Sequence, residues 1–139
     1  MNDEFIDPLF VNLAISHSQF ETIHAYRDGN GRLGRALIPI QLAKLTDDTP
    51  ILFLSEVIEL YKPSYHKFLN ESRKGNMLGF IKFFLHCIIE QCNNYISKIN
   101  MIKSIYNRDM DKIKTLNSNA VYRIMPAMMH QIVFTKKEI

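Results

Sequence analysis

The chain has 139 residues, of which 47% are hydrophobic and 22% charged, and a net charge of +3. That is enough for about one soluble domain around a single core, and no run approaches the roughly 20 uncharged apolar residues of a membrane span. The opening "MNDEFIDPLF" is acidic where a secretory leader would be basic, so a cytoplasmic protein without membrane contact is expected.

Cys87 and Cys92 sit in a helical-looking stretch with no metal-ligand company, which fits buried thiols in a reducing compartment. Charge is uneven: residues 1–60 carry 4 Lys/Arg against 9 Asp/Glu, and residues 61–139 carry 13 against 5. The basic charges are scattered, as on a solvated face, and do not form the stripe that nucleic acid would select.

In chain order, Asp7-Pro8 is a helix-start signal, with Ile6 and Val11 placed for a hydrophobic staple. A helix is predicted from there to Ile23, its apolar face set by Phe10, Leu13, His17, Phe20 and His24 at a period of about 3.6 residues. On that face His17 reads as a packed, hydrogen-bonded core residue, and Glu21 is expected to face elsewhere and pair locally. Gly29 and Gly31 interrupt the pattern. A second helix then follows through "RLGRALIPIQLAKL" with Leu33, Leu37, Ile40 and Ala43 or Lys44 inward, kinked at Pro39 because proline donates no backbone hydrogen bond.

"TDDTP" is a loop, and "ILFL" a short extended approach to a helix capped by Ser55. Pro63 restarts a helix that ends near Gly75. From Asn76 a broad apolar stripe predicts a long, largely buried helix of some thirty residues. His86 and His130 read as structural. Thr135 and Glu138 have capping-box spacing, so another helix is announced where the sequence stops. No convincing alternating strand appears, and the predicted class is all-α.

The densest chemistry lies in "IHAYRDGNGRLGR", Ile23 to Arg35. Gly29, Gly31 and Gly34 have the G-x-G-x-x-G spacing of a dinucleotide-binding loop, but a polar-faced helix precedes them where that motif needs a strand. A P-loop would need lysine and a hydroxyl where Arg35 and Ala36 stand. An EF-hand would need glycine at Leu33 and glutamate at Pro39. A plain Asp-Gly-Asn-Gly turn remains open.

A fourth reading uses more of the residues. Backbone amides around Gly29, Asn30 and Gly31, at the start of a helix, form an anion nest suited to phosphates. Arg32 and Arg35, a turn apart, can clamp further phosphate oxygens. Asp28 is placed to hold a divalent cation against them, and His24 projects towards the same site from the end of the preceding helix.

"HAYRDGNGRLGR" resembles the Fic motif, H-P-F-x-[DE]-G-N-G-R-x-x-R, with Ala25 for the usual Pro and Tyr26 for the usual Phe. "DPLFVNLAISHSQFETIH" before it, and "LFLSEVIELYKPSYHKFL" and "GFIKFFL" after it, extend the resemblance over residues 5–105. It implies an all-α, Fic-type helical bundle with the active-site loop between two central helices. It also implies transfer of AMP from ATP, with Mg2+, to a Tyr, Thr or Ser hydroxyl of a target protein.

By the same resemblance His24 matches the general base and Asp28 the magnesium ligand. Gly29, Asn30 and Gly31 match the phosphate nest, Arg32 and Arg35 the β- and γ-phosphate ligands, and Tyr65 and His66 the adenine-binding pair. Gly31, where the phosphorylating Doc-like branch would carry lysine, favours AMP transfer. The resemblance divides the chain into a core at 1–110 and a partial winged-helix-like extension at 111–139, too short for DNA binding to be expected.

Two features of the family are not found. The β-hairpin flap that aligns the target would precede Asp7, and the [ST]-x-x-x-E-[GN] inhibitory motif is not met by Ser55 to Glu59, where Leu60 follows. The alternative function is therefore a catalytically incomplete, nucleotide-binding Fic-fold regulator. Inhibition would fall to missing sequence or to a partner chain, and homodimerisation is compatible with the resemblance.

Overall fold

The computed structural model describes residues 8–47 and 49–114. Among the described residues there are five helices and no strand: α1 (Pro8–Ile23), α2 (Asn30–Thr46), α3 (Ser55–Leu60), α4 (Lys62–Arg73) and α5 (Met77–Lys114). The fold is an all-α bundle, as the periodicities require. The chain divides into compact units at Met1–Tyr95 and Ile96–Ile139, and the description below concerns the first. The expected boundary at residue 110 falls inside α5, and the expected extension beyond Lys114, with the Asp7 cap, lies outside the described residues.

α1 opens with Pro8 in its first turn, where the missing amide costs no helical bond. It buries Leu13, Ala14, His17, Ser18 and Glu21. α2 packs on α1, and α4 packs on both α1 and α3. Leu52 and Leu54 enter the core from the loop before α3, whose backbone is held where Phe53 N–H donates to the Tyr95 hydroxyl at 3.2 Å. The first helical residue of α3 is Ser55, so the cap position belongs to Leu54 and makes no side-chain bond.

α5 reaches the core through rings. Phe80 and Phe84 lie at 6.3 and 5.6 Å from the His17 ring, and Phe80 and Phe83 at 6.3 and 6.4 Å from that of Tyr65. The expected burial of this helix holds over Phe80, Phe83, Phe84, Cys87, Ile88 and Gln91. It does not hold at Ile89, which is more than half exposed. Cys92 is exposed too, whereas burial raises the Cys87 thiol to about 12.

The inward face of α2 differs from the expected one. Asn30, Gly34, Ile38 and Pro39 are buried, while Leu33 and Ile40 are exposed. The cause is the closeness of α1: a Cβ at Gly34 would collide with Glu21 Oε1 and lie 3.2 Å from both His17 Cε1 and Phe20 Cδ1. Only a residue without a side chain permits that approach, and it sets a face on which Ile38 turns inward while Leu33 and Ile40 turn outward.

Two outcomes follow from this contact. Gly34→Ala is expected to cost about 1–3 kcal/mol, the range for an overpacked core, seen as a lower urea midpoint; an unchanged midpoint would mean that α1 and α2 can part freely. His17, lowered by burial to about 4, is neutral when folded and takes up a proton on unfolding below its ordinary 6.5. Its contribution is therefore complete above pH 6.5 and lost as pH falls towards 4, at up to about 1.4 kcal/mol per pH unit. Burial shifts Glu21 upward and gives the opposite dependence, so the measurement is the difference in acid sensitivity between wild type and His17→Gln.

Candidate functional site

The glycine stretch spans the α1–α2 loop and the first turns of α2. α1 stops at Ile23, and His24 takes a left-handed backbone at φ 48°, uncommon for a residue with a side chain. His24 therefore lies just past the helix, exposed, and not on the apolar face with His17. Its amide still donates to Phe20 O at 3.2 Å, and its Nδ1 lies 3.3 Å from Glu21 O. A carbonyl only accepts, so this bond requires the proton on Nδ1 and leaves Nε2 of the neutral ring as an acceptor facing away from the helix end.

The loop is closed from within by Asn30. This buried side chain accepts from Tyr26 N–H at 3.0 Å and donates to Tyr26 O at 2.6 Å. Asn30 thus commits its amide group to the loop and leaves only its backbone N–H for an anion. Gly29 occupies the cap of α2 in the left-handed region at φ 83°. The first amides of a helix have no intrahelical acceptor, so Asn30, Gly31 and Arg32 present theirs where the helix dipole favours negative charge.

Both arginines hang over these glycines. A Cβ on Gly29 would lie 3.6 Å from Arg32 Nη2, and one on Gly31 would lie 3.2 Å from Arg35 Nη1. Arg32 Nη2 is paired with Asp28 Oδ2 at 3.2 Å, both side chains being largely exposed, and Asp28 Oδ1 accepts from Gly29 N–H at 2.6 Å. Such an exposed pair contributes little stability. It can open at small cost when a stronger anion arrives.

Behind the loop lies Glu21, for which local pairing was expected. It is 4% exposed, and its Oε1, 3.9 Å from the Cβ position of Gly31, has no hydrogen-bond partner. Burial raises its pKa, opposed by the charges of Arg35, His24, Arg73 and His66. The direction is that of a carboxyl taken out of water, where the charged form is disfavoured. Its spacing of four residues from His17, on the same inward face, was the signal available in the sequence.

Tyr65 and His66 separate. Tyr65 is 3% exposed, and its hydroxyl meets His17 Nε2 at 3.1 Å, while the neighbouring His66 is exposed on α4. His66 is near enough to act on both Glu21 and Glu59. One loop and the helix turn that follows therefore bring together His24, Asp28, Gly29, Gly31, Arg32 and Arg35. α4 adds His66 from the side and keeps Tyr65 in the core. Among the described residues no group of three or more His, Cys, Asp or Glu could hold a metal by itself. No helix among them is long and apolar enough to cross a membrane.

Residues 2–42 match the model of the Fic/DOC family. The chain is also similar to the protein adenylyltransferase Fic of Nematostella vectensis, at 27% identity over 84 residues, which cover 60% of this chain and 18% of that relative. It spans less than a fifth of that relative's length. No solved structure matches it. The helix start with its free amides, the exposed imidazole of His24 and the two arginines all lie within the residues that match the Fic/DOC family model.

Proposed function

We propose that the chain is a protein adenylyltransferase, moving AMP from ATP to a hydroxyl side chain of a target protein. One observation carries the reading: a histidine with its Nε2 free to accept a proton stands on the same short loop as a nest of amides overhung by two guanidinium groups. The similarity to the protein adenylyltransferase Fic of Nematostella vectensis supports it.

In this reading the triphosphate lies across the amides of Asn30, Gly31 and Arg32, and Gly29 and Gly31 let it approach because neither carries a Cβ. Arg32 and Arg35 bind its outer phosphates and hold the charge that grows on pyrophosphate. His24 Nε2 takes the proton of the target hydroxyl. The hydroxyl oxygen bonds to the α-phosphorus as the bond from that phosphorus to the bridging oxygen breaks, and pyrophosphate leaves. In this reading His66, exposed on α4, meets the base, with the Tyr65 ring beside it in the core.

Asp28 fits Mg2+, which takes one or two carboxylates and completes its shell with phosphate oxygens and water. The ion would neutralise charge on the phosphates when bound. Asp28 becomes available as Arg32 turns from it to the phosphates, so one exposed ion pair is exchanged for two stronger contacts.

With ATP labelled at the α-phosphate, wild-type protein is expected to transfer label to a protein acceptor, and His24→Ala to lose the transfer while still binding nucleotide. Binding by wild type without any transfer would instead support the regulator reading. Arg35→Ala is expected to weaken Mg2+–ATP binding by about 1.5–3 kcal/mol, the range for a charge-assisted hydrogen bond, measured by calorimetry. Unaltered affinity would show that Arg35 does not touch the phosphates.

A further inference from the structure

We infer that Arg73, at the end of α4, is a positioning residue for His24 and acts through the carbonyl of Glu21. The inference rests on the adenylyltransferase reading for its consequence in catalysis, and on geometry alone for its effect on the imidazole.

The last turn of a helix leaves carbonyls without intrahelical donors. In α1 that shortage falls where His24 departs into its left-handed conformation. Glu21 O accepts from Arg73 Nη2 at 2.8 Å and from His24 Nδ1 at 3.3 Å, so guanidinium and imidazole meet on one oxygen. Arg73 Nε makes a longer contact, 3.4 Å, to Thr22 Oγ1, which itself donates to Ser18 O at 2.7 Å. The guanidinium is oriented from its own helix by Asn70 Oδ1, 3.0 Å from Nη1.

One turn deeper, Ser18 Oγ and Ser72 Oγ lie 2.8 Å apart, and Ser72 Oγ donates to Leu69 O at 2.8 Å. The end of α4 is therefore fastened to the end of α1 at two levels, the inner one buried and the outer one charged. A cation at a helix C-terminus is also favoured by the helix dipole.

This fastening supports the proton-accepting role of His24. The imidazole offers Nε2 to a substrate only while Nδ1 carries the proton, and Nδ1 keeps it by donating to Glu21 O. An unfastened end of α1 would fray, the carbonyl would turn to water, and the ring would lose its only described partner. Lysine at 73 could still donate to Glu21 O but could not span to Thr22 and Asn70 as the planar fork does. A merely structural arginine would change the melting temperature and leave the imidazole tautomer alone.

The test uses the full chain with 15N-labelled histidine, the His24 signal being assigned by its absence in His24→Ala. Long-range proton–nitrogen correlation at mildly alkaline pH is expected to show the Nδ1–H tautomer predominating in wild type. Arg73→Gln should give a several-fold lower ratio of Nδ1–H to Nε2–H, and Arg73→Lys an intermediate ratio. Mg2+–ATP affinity should stay within about twofold, because Arg73 lies outside the phosphate nest, while kcat falls roughly tenfold, as for a misplaced catalytic group.

A tautomer ratio in Arg73→Gln equal to that of wild type would overturn the inference, whatever the activity. If Arg73→Gln does not fold, Arg73→Lys decides by the same ratio. Should wild type transfer no AMP, the proposed function fails, and the tautomer ratio still judges the role of Arg73.

Discussion

Gly34 is where α1 and α2 touch, and the site depends on that closeness. With no side chain in the way, Glu21 and His17 of α1 lie directly against the α2 backbone one turn beyond the nest. The spacing of the two helices sets how sharply the loop between them must turn. A loop of six residues, 24–29, makes this turn by placing His24 and Gly29 in the left-handed region at its two ends. Asn30 then bridges the loop to itself through Tyr26. Moving the helices apart by the width of a methyl group would alter all three.

The charges of the site are layered by exposure. Arg32 and Asp28 stand in solvent, where their attraction is screened and readily exchanged. Arg35 lies closer in, over Gly31, and Glu21 is fully covered behind it. The rings of His17, Tyr65, Phe80 and Phe84 pack on one another in the core.

Much of this was legible in the residues, and the departures share a cause. Periodicity in α2 pointed inward through Leu33, Leu37 and Ile40, because apolar size is what a moment measures. The structure selected smallness at Gly34, since the nearest neighbour was a helix and not a cavity. Glu21 looked like a surface residue by type and became a buried one by position, four residues after His17. Tyr65 resembled half of a base-binding pair, yet its hydroxyl found His17 in the core.

The sequence by itself determined the all-α class, the bounds of α1 and the position of the glycine loop between α1 and α2. Those depend on local rules: helical periodicity, proline at a helix start and glycine where the backbone turns left-handed. Only the tertiary structure decided which face of α2 turns inward, that Glu21 is buried, and that Arg73, some fifty residues away in the chain, shares a carbonyl with His24. These depend on the distance between helices, and no residue's neighbours in sequence encode how closely two helix backbones can approach.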